Sequence, residues 1–237
     1  MIIAVHQPQY LPWLGYFDKM DLADAFVLLD NVQYKKNEWQ NRNRIKTATG
    51  WQWLTVPVCY NFPEAVGQVK INCRVNWQHK QRQAIISNYR QAEFFEYGAN
   101  FLSDLFDRTW SNLAQVNIFT VKKLARLLNI DTPIWIASEL GVFSDDPDER
   151  LIQVVQQLGG DSYLAGAGGH NYMDLSKYER SGIEIIFQQF NHPQYSQLFN
   201  GFEPCLSILD LILNHGPKSL QIIRGGRNEH FGYRRPS

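Results

Sequence analysis

Short apolar runs of strand length, each closed by turn residues, recur along this chain and alternate with segments of helical period. The first is Ile2 to His6, ended by Gln7-Pro8-Gln9-Tyr10-Leu11-Pro12, after which Gly15 to Ala23 has helical composition. The second is Ala25 to Asp30. Neither run alternates apolar with polar positions, so both faces of each strand must be covered, as in a parallel sheet flanked by helices. After Ile130 the alternation returns, with strands predicted over 133–138, 162–165 and 183–188 and helices over 148–158, 174–181 and 206–214.

Between these halves the pattern changes. Residues 41–58 read as a β-hairpin with Gly50 in its turn, and Gln68 to Arg74 as a further antiparallel strand. Trp77 to Leu128 is mostly helical: Ile85, Ile86 and Tyr89, then Phe101, Leu102, Leu105 and Phe106, then Val121, Leu124 and Leu128 recur at the spacings of core-facing stripes. Asp145-Asp146-Pro147-Asp148-Glu149 reads as a helix start, where carboxylates suit the dipole. The expectation is one domain over 1–237: an α/β fold with a mostly parallel Rossmann-like sheet, a small antiparallel insertion at about 41–75 and a helical segment at about 77–128.

With 237 residues and 44% apolar content the chain can build a full core, which excludes disorder and a disulfide-stapled miniprotein. Its 23 basic and 23 acidic side chains cancel, so no global positive field collects phosphates and no DNA partner is expected. Cys59, Cys73 and Cys205 are odd in number and widely spaced, which suits small core residues in a reducing, cytoplasmic compartment. No run approaches the roughly 20 apolar residues of a membrane helix, and the N-terminus lacks a signal peptide's charged n-region. No membrane insertion is expected.

Ligands of open parallel sheets bind beyond the carboxyl ends of strands, which brings His6, Gln7 and Asp30 forward. His6 has the chemistry of an acid, a base or a phosphate donor, or else of a hydrogen-bonded residue bracing the adjoining proline turn. Asp30 suits a ribose hydroxyl, a metal or the cap of the next turn. Lys35 to Lys46 holds five basic groups against one acidic, with amides and Trp39 interleaved. Lys36, Asn41, Arg42, Asn43 and Arg44 in it are candidate phosphate and substrate ligands, unless the segment is only a charged hairpin edge. Gly166-Ala167-Gly168-Gly169-His170-Asn171 follows a predicted strand, so Gly166, Gly168 and His170 are candidates for a phosphate-cradling turn. A tight turn needing positive φ accounts for those glycines as well. The basic segment, His6 and Gln7 are expected in one pocket with this turn at its rim. The histidines are scattered without His-x-x-x-His, and no glycine-flanked serine forms a nucleophile elbow, so no metal site and no hydrolase triad are expected.

Several blocks together carry a family resemblance. His6 to Lys19, Ala23-Asp24, Leu29 to Lys36, Gln40 to Asn43 and Trp53 to Val58 look like the WbqC-like family. Tyr163 to Gly166 with Tyr172, His192 to Tyr195, and Ser207 to Leu211 with Asn214 and Gly216 continue the match over essentially the whole chain. The resemblance implies a bacterial protein of surface-polysaccharide (O-antigen) biosynthesis, a glycine transferase that acylates an amino sugar, and adds Tyr10 and Gly15 of the first block to the candidate binding residues. Ala165 departs from it, standing where a serine is expected. The opening also resembles nucleotidyltransferase-like (HUP-like) enzymes with a HIGH signature, but Trp13-Leu14-Gly15-Tyr16 lacks both histidines of that motif. Ser219 to Arg224 would be the matching phosphate-contact helix.

The expected activity is therefore transfer of a small acyl or aminoacyl group, glycyl for choice, to the amine of a nucleotide-linked amino sugar, with His6 and Asp30 as catalytic residues. Either ATP with Mg²⁺ or an aminoacyl-tRNA would supply the activated group. The alternative is a noncatalytic module that binds a nucleotide sugar or glycan within a polysaccharide-assembly complex.

Overall fold

The apolar runs assemble into a five-stranded parallel sheet in the computed structural model, which describes residues 1–228. The opening unit is β1 (Ile2–His6), α1 (Leu14–Leu22) and β2 (Ala25–Leu28). A hairpin of β3 (Arg42–Thr47) and β4 (Gly50–Thr55) follows, then the short pair β5 (Val58–Cys59) and β6 (Lys70–Ile71), and the helices α2 (Trp77–Tyr89), α3 (Phe95–Phe106) and α4 (Leu113–Leu127). The sheet resumes with β7 (Ile134–Ile136), α5 (Ala137–Leu140), α6 (Pro147–Gln157), β8 (Ser162–Ala165), α7 (Leu175–Arg180) and β9 (Glu184–Phe187), before α8 (Ile208–His215) and α9 (Ser219–Arg224).

The strand order is β7-β2-β1-β8-β9. The chain thus moves outward from β1 to β2 and β7, then crosses back to build β8 and β9 on the other side. This is a Rossmann-like α/β arrangement, whose switch point lies between β1 and β8. Side-chain alternation explains why the strands are apolar throughout. Ile2, Ala4, Phe26, Leu28 and Leu164 pack in the core that holds Leu14 and Phe17 of α1 and the helices of the middle segment. Ile3, Val5, Val27, Tyr163 and Ala165 pack on the opposite face with Ala137, Val154 and Tyr178 of α5, α6 and α7. Each face is covered, as the unbroken apolar runs require.

The hairpin pairs Arg42 with Thr55 through Thr47 with Gly50, and Gly50 at φ 126° takes a conformation that disfavours a side chain. Asp146 caps α6 by accepting from the Glu149 amide at 2.9 Å. Three expectations are corrected. The strand predicted over 133–138 turns into α5 at Ala137: the N-cap Ile136 offers no acceptor, and Asp30 supplies one, taking the Ser138 amide at 3.0 Å and its hydroxyl at 2.7 Å. The strand predicted from Gln68 to Arg74 shrinks to Lys70–Ile71. Cys59 and Cys73 are exposed and Cys205 half-buried rather than core residues: Cys59 lies on the two-residue β5 and Cys73 two residues past the end of β6.

Among the described residues no helix is long and apolar enough to cross a membrane.

Candidate active site

β1 is hydrogen-bonded to β2 as far as His6 opposite Leu28, but to β8 only as far as Ala4 opposite Leu164. The two central strands therefore part before β1 ends. The Ile2 and His6 carbonyls accept from Asp24 and Leu29 on the β2 side, so by alternation the Val5 carbonyl faces the gap toward β8. Lys19 of α1 takes it: Nζ donates to the Val5 oxygen at 2.9 Å and lies 5.7 Å from the centre of the Tyr163 ring. Only 3% of Lys19 is exposed, and burial lowers its ammonium to about 7.

Above this point lies a cavity of about 280 Å³ lined by His6, Trp13, Gly15, Tyr16, Lys19, Gly166, Ala167, Gly168, Gln188 and Phe190. It sits beyond the carboxyl ends of β1, β8 and β9, where an open α/β sheet takes its ligand. His6 packs on Tyr16 with ring centres 4.7 Å apart, and burial, followed by the nearby Lys19 charge, lowers it to about 3. It is therefore neutral at pH 7. Its Nδ1 lies 3.1 Å from the Gln7 carbonyl, which can only accept, so Nδ1 carries the hydrogen and Nε2 keeps the lone pair.

Gln188 follows β9 and is fixed by two bonds from Nε2, to the Gly15 carbonyl at 2.9 Å and to Asp18 at 2.7 Å. The Gly15 carbonyl dictates which end of the amide is nitrogen, leaving Oε1 without a hydrogen bond to any described residue. Asp18, whose carboxyl burial pushes up against the pull of Arg227 and Gln188, also accepts from Arg227 at 2.7 Å. The cleft thus presents two acceptors, His6 Nε2 and Gln188 Oε1, beside the remaining donors of Lys19. A ligand that donates N–H bonds and carries a carbonyl oxygen matches that set.

The glycine turn forms one rim. The positive-φ account of it is corrected: glycines with positive φ lie elsewhere, and Gly168 has φ −81°. A Cβ on Gly169 would come within 2.8 Å of Met173 Sδ, so close packing requires that glycine, whereas Gly166 and Gly168 border open space. Gly15 has a different role, since a Cβ there would overlap the Trp13 indole. Trp13 lies flat against Gly15 and stacks on His192, with ring centres 6.1 Å apart.

The sequence candidates divide. His6, Gly15, Gly166 and Gly168 line the cleft, whereas Gln7 does not, its Oε1 accepting from Gln40. Arg44 lies instead beside a second cavity of about 270 Å³ lined by Trp13, Trp39 and Cys205, where it donates to the Cys205 carbonyl at 3.3 Å, while Arg42 packs over Trp53 and donates to the Asn37 carbonyl. The single pocket expected from the sequence is two, with Trp13 as their common wall. Lys36 is exposed on the loop before β3, and His170 is exposed with its ring edge on Phe187. Tyr10 is fully buried and donates to Gln81 at 2.7 Å; Asn43 is buried and donates to the Leu11 carbonyl at 2.7 Å. Asn41 is buried too, donating to the Val56 carbonyl at 3.0 Å. These three hold the loop between β1 and α1 and the hairpin in place. Asp30 does not line the cleft, and both its oxygens are engaged by Ser138. Arg224 of the supposed phosphate helix is paired with Asp21 at 2.8 and 2.9 Å. Lys19 and Gln188 are cleft residues that sequence reading did not single out, as are Trp13, Tyr16, Ala167 and Phe190.

Among the described residues no group of three metal-ligating side chains converges, and the carboxylate proposed for a metal ion is committed to Ser138.

The family model described as the WbqC-like protein family matches residues 7–222. An uncharacterized protein of Mycobacterium tuberculosis (strain ATCC 25618 / H37Rv) is 32% identical over 226 residues, covering 94% of this chain and 97% of that protein. No solved structure matches. The family match takes in the cleft residues from Trp13 to Phe190 and begins one position after His6, and the chain belongs to the WbqC-like protein family.

Proposed function

We propose that the cleft between β1 and β8 joins a small acyl or aminoacyl group, glycyl for choice, to the amine of a nucleotide-linked amino sugar for bacterial surface polysaccharide. The observation that carries this reading is that His6, whose Nε2 holds a lone pair, and Gln188, whose Oε1 has no partner among the described residues, line the same cleft. A primary amine has two N–H bonds to give. One goes to Gln188 Oε1, which orients the nitrogen lone pair; the other points at His6 Nε2.

The donor arrives already activated, as an adenylate or as an aminoacyl ester of tRNA. The amine nitrogen attacks the acyl carbon, the C–N bond forms, and the phosphate or ribose oxygen departs with the electron pair of its bond. His6 Nε2 accepts from the amine and relays its proton to the leaving oxygen as the bonds change, so the imidazolium that burial disfavours does not accumulate. Lys19 Nζ has N–H donors beyond the one given to Val5, and these stabilise the oxyanion of the tetrahedral intermediate in a largely dry site.

Mass spectrometry of amino-sugar nucleotides incubated with the protein, glycine with ATP and Mg²⁺, or glycyl-tRNA, tests the reading. The expected product gains one glycyl unit on nitrogen, and His6→Gln loses roughly 100-fold or more in rate while still binding the acceptor. Acceptor binding with no product from either donor would assign the chain to the noncatalytic class.

A further inference from the structure

The outer face of the β3–β4 hairpin is chemically unlike the rest of the surface. Strand alternation turns Asn43, Ile45 and Leu54 inward, and brings Arg42 and Arg44 together with Trp51 and Trp53 on the other side, Arg44 directly opposite Trp53. Trp39 joins them from the preceding loop, its ring 5.6 Å from that of Trp53. All three indoles are exposed, at 38% for Trp39, 43% for Trp51 and 38% for Trp53. The Arg42 guanidinium lies 4.3 Å from the Trp53 ring centre and that of Arg44 5.0 Å from Trp51. Neither arginine pairs with a carboxylate among the described residues, and the buried Nε of each has no hydrogen-bond partner.

A hairpin edge protected from aggregation needs charge, not three large indoles facing water. Indoles left open beside guanidinium groups that donate only to the Asn37 and Cys205 carbonyls, with no carboxylate among the described residues to neutralise them, match a ligand with a planar ring and an anionic tail. The cavity of about 270 Å³ lies where this face meets the cleft, with Trp39 on one side, Trp13 on the other and Arg44 bonded at its Cys205 edge.

We infer that the cavity between Trp13 and Trp39 seats a nucleoside diphosphate, its base against the indoles and its phosphates on Arg44 and Arg42, so that a sugar on the distal phosphate passes Trp13 into the His6 cleft. The sugar's destination rests on the function proposed above; the nucleotide seat does not. A glycan would use the indoles but leaves two guanidinium groups without an anion. A single strand of RNA stacks successive bases along an extended run of rings, whereas this cavity of about 270 Å³ is lined by two indoles, Trp13 and Trp39, and has room for one nucleotide.

Calorimetry with uridine, guanosine, adenosine and thymidine diphosphates, each alone, is the test. At least one should bind once per chain. Trp39→Ala and Arg44→Gln should each weaken that binding roughly ten-fold or more, whereas Trp135→Ala, an exposed indole on β7, should leave it unchanged. Thermal melts on each variant confirm folding. Binding that is absent for all four, or indifferent to both hairpin substitutions, overturns the inference. So does inorganic pyrophosphate binding as tightly as the nucleotides, which would leave the indoles without a base, or a single-stranded RNA hexamer binding more tightly than any of them. Nucleotide binding without glycyl transfer defeats only the proposed reaction; transfer without nucleotide binding defeats only this seat.

Discussion

Lys19 and Val5 are joined across the point where the sheet divides: the Lys19 amine, 2.9 Å from the Val5 carbonyl, takes the place of the strand that β8 no longer supplies. An exposed helical lysine would be free to fray; this one replaces a missing ladder bond. Burial disfavours the charged form of both groups that flank the gap, Lys19 and His6.

The sign of the Lys19 effect is definite. Its folded value of about 7 lies below the unfolded 10.5, so between these the unfolded chain binds more protons and stability rises with pH. Lys19→Met should abolish that rise, at most about 1.4 kcal/mol per pH unit, in denaturant titrations from pH 7 to 10. An unchanged slope would place the lysine in contact with water.

His6 acts in the same sense at lower pH. With a folded value near 3 and an unfolded 6.5, it costs stability progressively as pH falls through that window, and the cost is complete below 3. His6→Gln cannot take a proton, so its stability should fall less steeply than the parent's between pH 6.5 and 4.

Gly15→Ala sets a methyl group into the Trp13 ring. The indole must tilt from the wall between the two cavities, so tryptophan fluorescence should shift and acceptor affinity should fall roughly ten-fold or more, with an unfolding cost of about 1–3 kcal/mol. A silent fluorescence spectrum would mean that the wall accommodates the methyl group elsewhere.

Asp30 and turnover should separate. Asp30→Ala leaves the Ser138 amide and hydroxyl without their acceptor and should cost about 1–3 kcal/mol in urea unfolding. Rate per folded molecule should hold within a few-fold. A loss near that of His6→Gln would return Asp30 to the chemistry.

Much of the sheet was legible because unbroken apolar runs have one economical arrangement, and the positions ending β1 and β8 led directly to His6, Gly166 and Gly168. Tyr10, Asn41 and Asn43 misled for a physical reason. The proline-rich loop after β1 has carbonyls with no strand partner, and buried amides supply it: Asn43 bonds Leu11, and Asn117 bonds Pro8 at 3.0 Å. Polar residues in such a pattern look like ligands until the loop is seen. Lys19 was hidden by the opposite effect, since a lysine in a helix reads as a solvated face, and only the burial of all nine residues of α1 reveals it. The division of the basic segment from His6 depends on where Trp13 rests, which no local pattern encodes.

The central position of β1 has a consequence for biosynthesis. The Met1 amine pairs with Asp161, 160 positions away, and β8 and Gln188 complete the cleft from still later sequence. A ribosome therefore releases His6 and Lys19 long before the strand that makes them a site, and pairing so distant in sequence is slow to form. During that interval an edge of β1 that the finished protein buries is open to other chains. Truncated or stalled products should thus be inactive and prone to association, and appearance of the cleft would serve as a signal that the last parallel strand has docked.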